Sequence, residues 1–201
     1  MSDTFRPSRR AAFLDRDGVL TEILRDAELG ILYTAFHADQ LRPTRDAAGL
    51  VKRLRSAGYA CIVVSNQPGP AKGHFTVAQL ERMNARLREL FDLDAVYCCP
   101  HHPEGGHGGD PALRGPCECR KPKPGMILQA AREHGIDLAA SVMIGDSLDD
   151  VRAGQAAAVR TILVNGGRCE LCPNRGPSAV APDATVQSFS EAVDWVLSRP
   201  G

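Results

Sequence analysis

The sequence lacks the features that mark membrane, secreted and nucleic-acid-binding proteins. No apolar run approaches the roughly 18–20 residues of a membrane span, and no apolar segment of signal-peptide length follows the basic residues near the N-terminus. The 24 basic residues are balanced by 24 acidic ones, which gives no support for a nucleic-acid or membrane-surface partner. Internal repeats and low-complexity segments are missing as well. We therefore expect a cytoplasmic protein with neither kind of partner.

Apolar runs alternate with helical patterns along the chain. The runs are rich in Val and Ile with little alternation of polarity, which is typical of parallel strands buried on both faces. This repetition predicts an α/β fold, a Rossmann-like parallel sheet with helices on both faces. At 201 residues the chain fits a single domain over 1–201. The predicted strands lie near 11–14, 59–64, 95–99, 142–144 and 161–164, and the predicted helices near 44–57, 76–91, 124–134, 148–157 and 189–197.

Two stretches, 100–123 and 166–183, interrupt this alternation. Both are rich in Gly and Pro and have no helical period. Loops longer than about 12–15 residues inside a compact domain are usually functional or disordered. We therefore expect the first stretch to be held in place by something other than regular secondary structure.

Cysteine is abundant, with seven residues in the chain. An odd number without an export signal argues against a disulfide framework and favours metal ligation or free thiols. Cys61 lies in an apolar run and is interpreted as a small buried hydrophobe. Cys169 and Cys172 form a lone C-x-x-C, which is half of a metal site, a redox pair or a coincidence.

The long loop contains two tight pairs of candidate zinc ligands. Cys99 and His101 form a C-x-H pair, and Cys117 and Cys119 form a C-x-C pair. Three thiolates and one imidazole are an ordinary four-coordinate set for structural zinc, and a metal that closes a long loop gives a large entropic gain. The spacing alone leaves the neighbouring residues as alternatives, namely Cys98 and His102.

Two aspartates follow the first predicted strand, in the octapeptide FLDRDGVL. Asp15 and Asp17 are one residue apart, and Gly18 allows a sharp turn. Ligands of open α/β sheets bind beyond the carboxyl ends of the strands. One carboxylate there could attack phosphorus to form an aspartyl phosphate, and a second, protonated carboxyl could supply a proton to the leaving group. A plain polar turn is the alternative interpretation.

Two further segments carry groups suited to phosphate. Ser65, in VVSNQPG, offers a hydroxyl and the backbone N–H groups that follow it, although these residues also suit a turn. The segment CRKPKPGM brings Arg120, Lys121 and Lys123 to the start of a predicted helix. A lysine there can neutralise charge on the nucleophile and on the transferring phosphoryl group. Solvated surface charge is the alternative.

The segment MIGDSLDD supplies further carboxylates at the end of a strand. Magnesium prefers hard oxygen ligands and keeps several waters. The carboxylates of Asp15 and Asp146, with the backbone carbonyl of Asp17, would supply such a site. Asp149 and Asp150 are open to a second interpretation, as N-terminal helix charges favoured by the helix dipole.

The order of these motifs, D-x-D-G, S-N, R-K-P and G-D-x-x-x-D with one per strand end, resembles the phosphatases of the haloacid dehalogenase superfamily. The resemblance spans about residues 11–165, and the segments CCPHHP and CECRKPKPGM narrow it to a zinc-loop subgroup. It implies a capless fold with a zinc-bound loop insertion at about 98–120. It also implies a magnesium-dependent phosphomonoesterase that works through an aspartyl phosphate.

The resemblance further implies roles for individual residues. Asp15 would be the nucleophile and Asp17 the general acid/base. Ser65 and Lys121 would bind the transferring phosphoryl group, and Arg120 would contact the distal part of the substrate. Further substrate contacts are expected from three residues: Asn66, Gln67 and Ser147. Mg²⁺ would be held by Asp15, Asp17 and Asp146, and Zn²⁺ by Cys99, His101, Cys117 and Cys119.

The substrate that the resemblance implies is a small phosphosugar. The favoured case is D-glycero-D-manno-heptose 1,7-bisphosphate, a heptose precursor for lipopolysaccharide or capsule, from which the enzyme would remove the 7-phosphate. Hydrolysis of histidinol phosphate or of another sugar phosphate is the alternative within the subgroup. A non-catalytic, zinc-stabilised phosphosugar-binding module is the alternative from another class. The intact set of Asp15, Asp17, Lys121 and Asp146 argues against the last. We expect a monomer.

Overall fold

The computed structural model describes residues 9–164 and 180–199. The strands are β1 (Ala11–Leu14), β2 (Leu24–Asp26), β3 (Ile31–Tyr33), β4 (Ala60–Asn66), β5 (Ala95–Cys99), β6 (Val142–Gly145), β7 (Arg160–Val164) and β8 (Ala184–Val186). The helices are α1 (Ala47–Ser56), α2 (Gly69–Lys72), α3 (Val77–Phe91), α4 (Gly125–His134), α5 (Leu148–Ala156) and α6 (Phe189–Ser198).

Six of the strands form one sheet in the order β5-β4-β1-β6-β7-β8. Every pair of neighbours in it is parallel, which confirms the predicted α/β fold. Leu14, the last residue of β1, is paired with Val63 of β4 and with Ile144 of β6. The residues that follow these three strands therefore emerge side by side at the carboxyl edge of the sheet.

Helices cover both faces of this sheet, because alternate residues of each strand point to opposite sides. Ala12 and Leu14 pack into a core with buried residues of α1, α3 and α6. Ala11 and Phe13 pack into the opposite core with residues of α4 and α5. Both faces of β1 are fully buried, which explains why its sequence shows no alternation of polarity.

Three elements escaped sequence analysis: α2, β8 and the antiparallel hairpin of β2 and β3. The hairpin strands have three residues each, and Leu29, Ile31 and Leu32 are exposed on it, so no pattern of burial marks them. Between β1 and α1 the described chain holds this hairpin and one 3₁₀ turn, Ala38–Gln40. That is too little for a separate cap domain, as predicted.

No helix in the described ranges is long and apolar enough to cross a membrane. Cys169 and Cys172, with most of the stretch 166–183, lie outside the described residues. The three interpretations of this cysteine pair, as half of a metal site, a redox pair or a coincidence, therefore stay open.

Candidate active site

The centre of the site is a lysine that joins two strand ends and the start of a helix. Lys121 Nζ donates to Asp15 Oδ1 at 2.8 Å, to Asp150 Oδ1 at 2.5 Å and to the Val64 carbonyl at 2.8 Å. An ammonium has three donors, so all of them are used. Asp15 itself is anchored by its backbone N–H, which donates to the Ile144 carbonyl at 2.9 Å. One side chain thus links the ends of β1 and β4 to the start of α5.

Lys121 is a permanent cation in this setting. Its side chain is only 4% exposed, and burial alone would lower its pKa. The carboxylates of Asp15 and Asp150 outweigh that effect and raise the pKa above the ordinary lysine value. A positive charge is therefore held where a phosphoryl group next to Asp15 would need one.

Asn66, at the end of β4, holds the backbone of Lys121. Its Nδ2 donates to the Lys121 carbonyl at 3.0 Å, and its Oδ1 accepts from the Lys121 N–H at 2.9 Å. Both ends of the side-chain amide are engaged in this way. Its contact with substrate stays a prediction, while its contact with Lys121 is direct.

The Asp17 carboxylate is bound on both oxygens. Arg16 Nε donates to Oδ1 at 3.0 Å and Arg16 Nη2 to Oδ2 at 2.9 Å. The Thr21 hydroxyl donates to Oδ1 at 3.2 Å, and Gln67 Nε2 to Oδ2 at 2.8 Å. Gln67 Nε2 also donates to Ser65 Oγ at 3.0 Å. The structure therefore brings Asp17, Ser65 and Gln67 together, as the motifs predicted.

Three carboxylates converge beside Lys121. One oxygen each from Asp15, Asp146 and Asp150 lies within 4.8 Å of the others. Asp149, by contrast, pairs with Arg152 at 3.3 Å on the surface of α5. The ambiguity between the two neighbours is thereby resolved: Asp150 belongs to the site, and Asp149 does not contact it.

Asp150 reaches the site because α5 starts with a capping box. Ser147 N–H donates to Asp150 Oδ2 at 3.0 Å and Ser147 Oγ to the same oxygen at 2.5 Å, which fixes the first turn. Gly145 leaves the necessary space, since a Cβ there would lie 2.2 Å from Asp150 Cγ. Burial raises the pKa of Asp150, while Lys121 and Ser147 act in the opposite direction. The last position of the motif G-D-x-x-x-D is Asp150, and the phase of α5 brings that side chain to Lys121.

The cysteine–histidine loop brings its four predicted ligands to one point. The Sγ–Sγ distance is 3.0 Å between Cys99 and Cys119 and 3.6 Å between Cys99 and Cys117. His101 Nδ1 lies 3.3 Å from Cys119 Sγ, and the four donor atoms lie within 4.8 Å of one another. Thiolates and imidazole are donors that zinc prefers, so the cluster fits that metal.

The two alternative ligands are engaged elsewhere. Cys98 Sγ donates to Asn84 Oδ1 at 3.3 Å. His102 Nδ1 accepts the backbone N–H groups of Glu104 and Gly105, at 3.3 and 3.1 Å. Arg120 lies between Cys119 and Lys121 in the sequence, and its Nη1 donates to the His101 carbonyl at 3.2 Å.

The tip of the same loop packs directly on the backbone of α2. The Asp110 N–H donates to the Pro70 carbonyl at 3.0 Å. A Cβ at Gly106 would lie 2.5 Å from the Lys72 carbonyl oxygen, and a Cβ at Gly109 would lie 1.9 Å from that of Ala71. We call this contact, Gly106, Gly109 and Asp110 against α2, the loop–helix seam. It ties the loop to the segment that follows Ser65, Asn66 and Gln67.

Relatives along almost the whole chain carry the name of one enzyme. A D-glycero-beta-D-manno-heptose-1,7-bisphosphate 7-phosphatase of Escherichia coli is 37% identical over 195 residues, covering 94% of this chain and 88% of its own. The corresponding protein of Thermosynechococcus vestitus is 36% identical over 200 residues, covering 95% of this chain and 97% of its own. The chain belongs to this family of phosphatases. The HAD-hydrolase-like family model also matches residues 118–192.

A solved member of the family has the same fold. The D,D-heptose 1,7-bisphosphate phosphatase from B. bronchiseptica, complexed with magnesium and phosphate, superimposes with a TM-score of 0.72 and 27% identity, covering 94% of this chain and 98% of its own. A HAD-like phosphatase of this family is a hydrolase of phosphate esters, and the predicted enzyme class is confirmed.

Proposed function

We propose that this phosphatase removes the 7-phosphate from D-glycero-D-manno-heptose 1,7-bisphosphate, in the synthesis of heptose precursors for surface polysaccharide. The relatives named above carry that activity in their names. The observation that supports the chemistry is the buried Lys121, which bridges Asp15 and Asp150. We also propose that the enzyme works in the cytoplasm, because none of the five cysteines in the described ranges forms a disulfide, as expected in a reducing compartment.

In the proposed reaction a carboxylate oxygen of Asp15 attacks phosphorus, and the bond between phosphorus and the sugar O7 breaks. The Asp17 carboxyl gives its proton to O7, so the sugar leaves as an alcohol. A water molecule then attacks the phosphorus of the aspartyl phosphate and passes a proton to Asp17. The bond between phosphorus and Asp15 breaks, which releases phosphate and restores both carboxyl groups.

The surrounding residues stabilise and orient the group in transfer. Lys121 offers a fixed positive charge in a site shielded from water, where it is worth more than in solvent. Ser65 Oγ, which accepts from Gln67 Nε2 at 3.0 Å, would hydrogen-bond a phosphoryl oxygen. Arg120 would contact the distal part of the sugar phosphate, and Ser147, at the start of α5, would contact the substrate as well.

The carboxylates of the site fit magnesium, because hard oxygen donors are what that ion prefers. We propose that it is held by Asp15, Asp146 and the backbone carbonyl of Asp17, with Asp150 beside them. When bound, it would neutralise charge on the phosphoryl oxygens. Zinc would be held by Cys99, His101, Cys117 and Cys119 and would shape the loop, since no protein position is left open for chemistry.

The nucleophile is tested by Asp15→Asn. The variant keeps the shape of the side chain but removes the attacking charge, so phosphate release is expected to fall to background while the circular dichroism spectrum is unchanged. A rapid-quench assay with magnesium and sugar bisphosphate measures this. Magnesium-dependent hydrolysis by Asp15→Asn at a rate near that of the native enzyme would contradict the assignment.

The substrate is tested by comparing kcat/KM for heptose 1,7-bisphosphate, hexose phosphates and histidinol phosphate. We expect the heptose bisphosphate to give the highest value, with release of the 7-phosphate and retention of the 1-phosphate. A higher kcat/KM for histidinol phosphate would replace the proposed substrate but leave the phosphatase chemistry in place.

A further inference from the structure

We infer that Arg16 is a positioning residue that holds the Asp17 carboxylate in line with the phosphoryl-binding side of the site. The inference rests on the acid/base role proposed for Asp17. Arg16 lies between the two aspartates in sequence, and no motif pointed to it. Its side chain is fully buried, which is unusual for an arginine.

The contact between Arg16 and Asp17 has two parallel hydrogen bonds. Nε and Nη2 donate to the two carboxylate oxygens at 3.0 and 2.9 Å, the bidentate geometry that only a guanidinium offers. Because both oxygens are bound by one rigid plane, the carboxylate cannot rotate about its last torsion without breaking a charged hydrogen bond. Arg16 therefore fixes the orientation of the Asp17 carboxylate.

Stability alone gives a poor account of this arginine. Taking a guanidinium out of water is unfavourable, and a buried ion pair is often no more stable than apolar residues of the same volume. Within the described part of the chain, Nη1 of Arg16 is buried and has no hydrogen-bond partner. A group kept buried with one donor unpaired is better explained by the geometry that it imposes on Asp17.

That geometry extends to the proposed phosphoryl site. Gln67 Nε2 donates both to Asp17 Oδ2 at 2.8 Å and to Ser65 Oγ at 3.0 Å. The order of contacts is therefore Arg16, Asp17, Gln67 and Ser65. The distance between the acid/base carboxyl and the phosphoryl-binding hydroxyl is thereby set by side chains that are all buried. A misplacement of about 1 Å in such a pair can lower a rate about 10²-fold.

The experiment compares two leaving groups in the first turnover. A sugar alkoxide needs the proton of Asp17 to leave, whereas a nitrophenolate leaves without one. Rapid-quench measurements of sugar release from heptose 1,7-bisphosphate, and of nitrophenol release from p-nitrophenyl phosphate, are made on Arg16→Met, Arg16→Lys and Asp17→Asn. The ratio of the two rates within one preparation is independent of the folded fraction.

We expect Arg16→Met to lower first-turnover sugar release about 10²-fold and nitrophenol release less than about 3-fold, because only the former uses general acid catalysis. Arg16→Lys keeps the charge without the fork and should fall between Arg16→Met and the native enzyme. Arg10→Met is the matched control. Its guanidinium donates to the Ala57 carbonyl and lies over the Tyr59 ring, at the other end of β1, so the ratio should not change.

The two proposals fail in different ways. If Asp17→Asn lowers both rates equally, or neither, the acid role of Asp17 is wrong, and the inference about Arg16 falls with it. If Asp17→Asn slows sugar release selectively but Arg16→Met lowers both rates in parallel, Asp17 keeps its role and Arg16 serves the fold alone. That second result would overturn the inference drawn here.

Discussion

The most demanding prediction concerns two adjacent aspartates that differ only in the direction in which α5 points them. Asp150→Asn and Asp149→Asn are the same chemical change at neighbouring positions. Asp150 is 1% exposed and binds Lys121, whereas Asp149 is 35% exposed and pairs with Arg152. Asp149→Asn therefore serves as the control for the loss of one negative charge in the first turn of the helix.

The size of the Asp150→Asn effect follows from its acceptors. One oxygen accepts from Lys121, and the other accepts from Ser147. Asparagine has one acceptor oxygen, so its NH₂ group must face either the ammonium or the Ser147 donors. A lost hydrogen bond to a charged group is worth about 1.5–3 kcal/mol, and an opposed buried donor about 1–3 kcal/mol. We expect a loss of about 3–5 kcal/mol in the free energy of unfolding, the range found for breaking a buried ion pair.

Urea unfolding at pH 7, in excess magnesium and in a chelator, measures this. A loss of that size corresponds to a fall of about 6–20 °C in Tm for a chain of this length. Asp149→Asn should lose less than about 1 kcal/mol, since exposed pairs and helix-dipole terms are small. Removal of the Asp150 charge also relieves repulsion from Asp15 and Asp146. Because no magnesium offsets that repulsion in chelator, the loss in the free energy of unfolding should be smaller there. A loss below about 1 kcal/mol in magnesium, or equal losses in the two variants, would refute the reasoning.

Two further predictions concern the loop and the edge of the sheet. Native protein should contain about one zinc per chain by metal analysis. Cys117→Ser should lower the zinc content and raise amide exchange in the loop, whereas Cys61→Ala should do neither. A full complement of zinc in Cys117→Ser would contradict the proposed ligand set. Burial acts to raise the pKa of Asp94, but the Cys61 N–H and the Arg9 and Arg55 side chains lower it overall. The contribution of Asp94 to the free energy of unfolding is therefore present above the unfolded carboxyl pKa of about 3.9, and it is lost as pH falls through the lower pKa of the folded state. Asp94→Asn should therefore be about 1–3 kcal/mol less stable at pH 7, with a difference that shrinks below about pH 4 in urea unfolding; a constant difference would argue against that origin.

The sheet and the placement of the motifs were predictable because both depend on short-range patterns. The fully buried strand 11–14 and the partly buried edge strand 95–99 both show as uninterrupted apolar runs, and their observed bounds are the predicted ones. Parallel strands place their carboxyl ends at one edge, so the polar residues after Leu14 and Gly145 had to meet. The convergence of the four proposed zinc ligands was predictable for a related reason, since paired donors at both ends of a loop can meet without any knowledge of the sheet.

Other features depend on orientations that a linear pattern does not contain. The motif G-D-x-x-x-D ends on Asp150, but the contact of that side chain with Lys121 depends on the phase of α5, which the Ser147 capping box sets. Arg16 gave no signal because arginine is a common surface residue, and only the neighbouring Asp17 carboxylate makes its burial possible. The loop–helix seam was invisible because glycines in a loop are usually attributed to turns, whereas Gly106 and Gly109 are required by the approach of another backbone.

The loop–helix seam has a consequence for recombination and protein engineering. Because the contact is made by backbone atoms with no room for a Cβ, the cysteine–histidine loop fits the path of the α2 backbone rather than its side chains. A loop transplanted from a relative would fit only if residues 69–73 followed the same path, so 69–73 and 98–120 form one cassette that must be exchanged together.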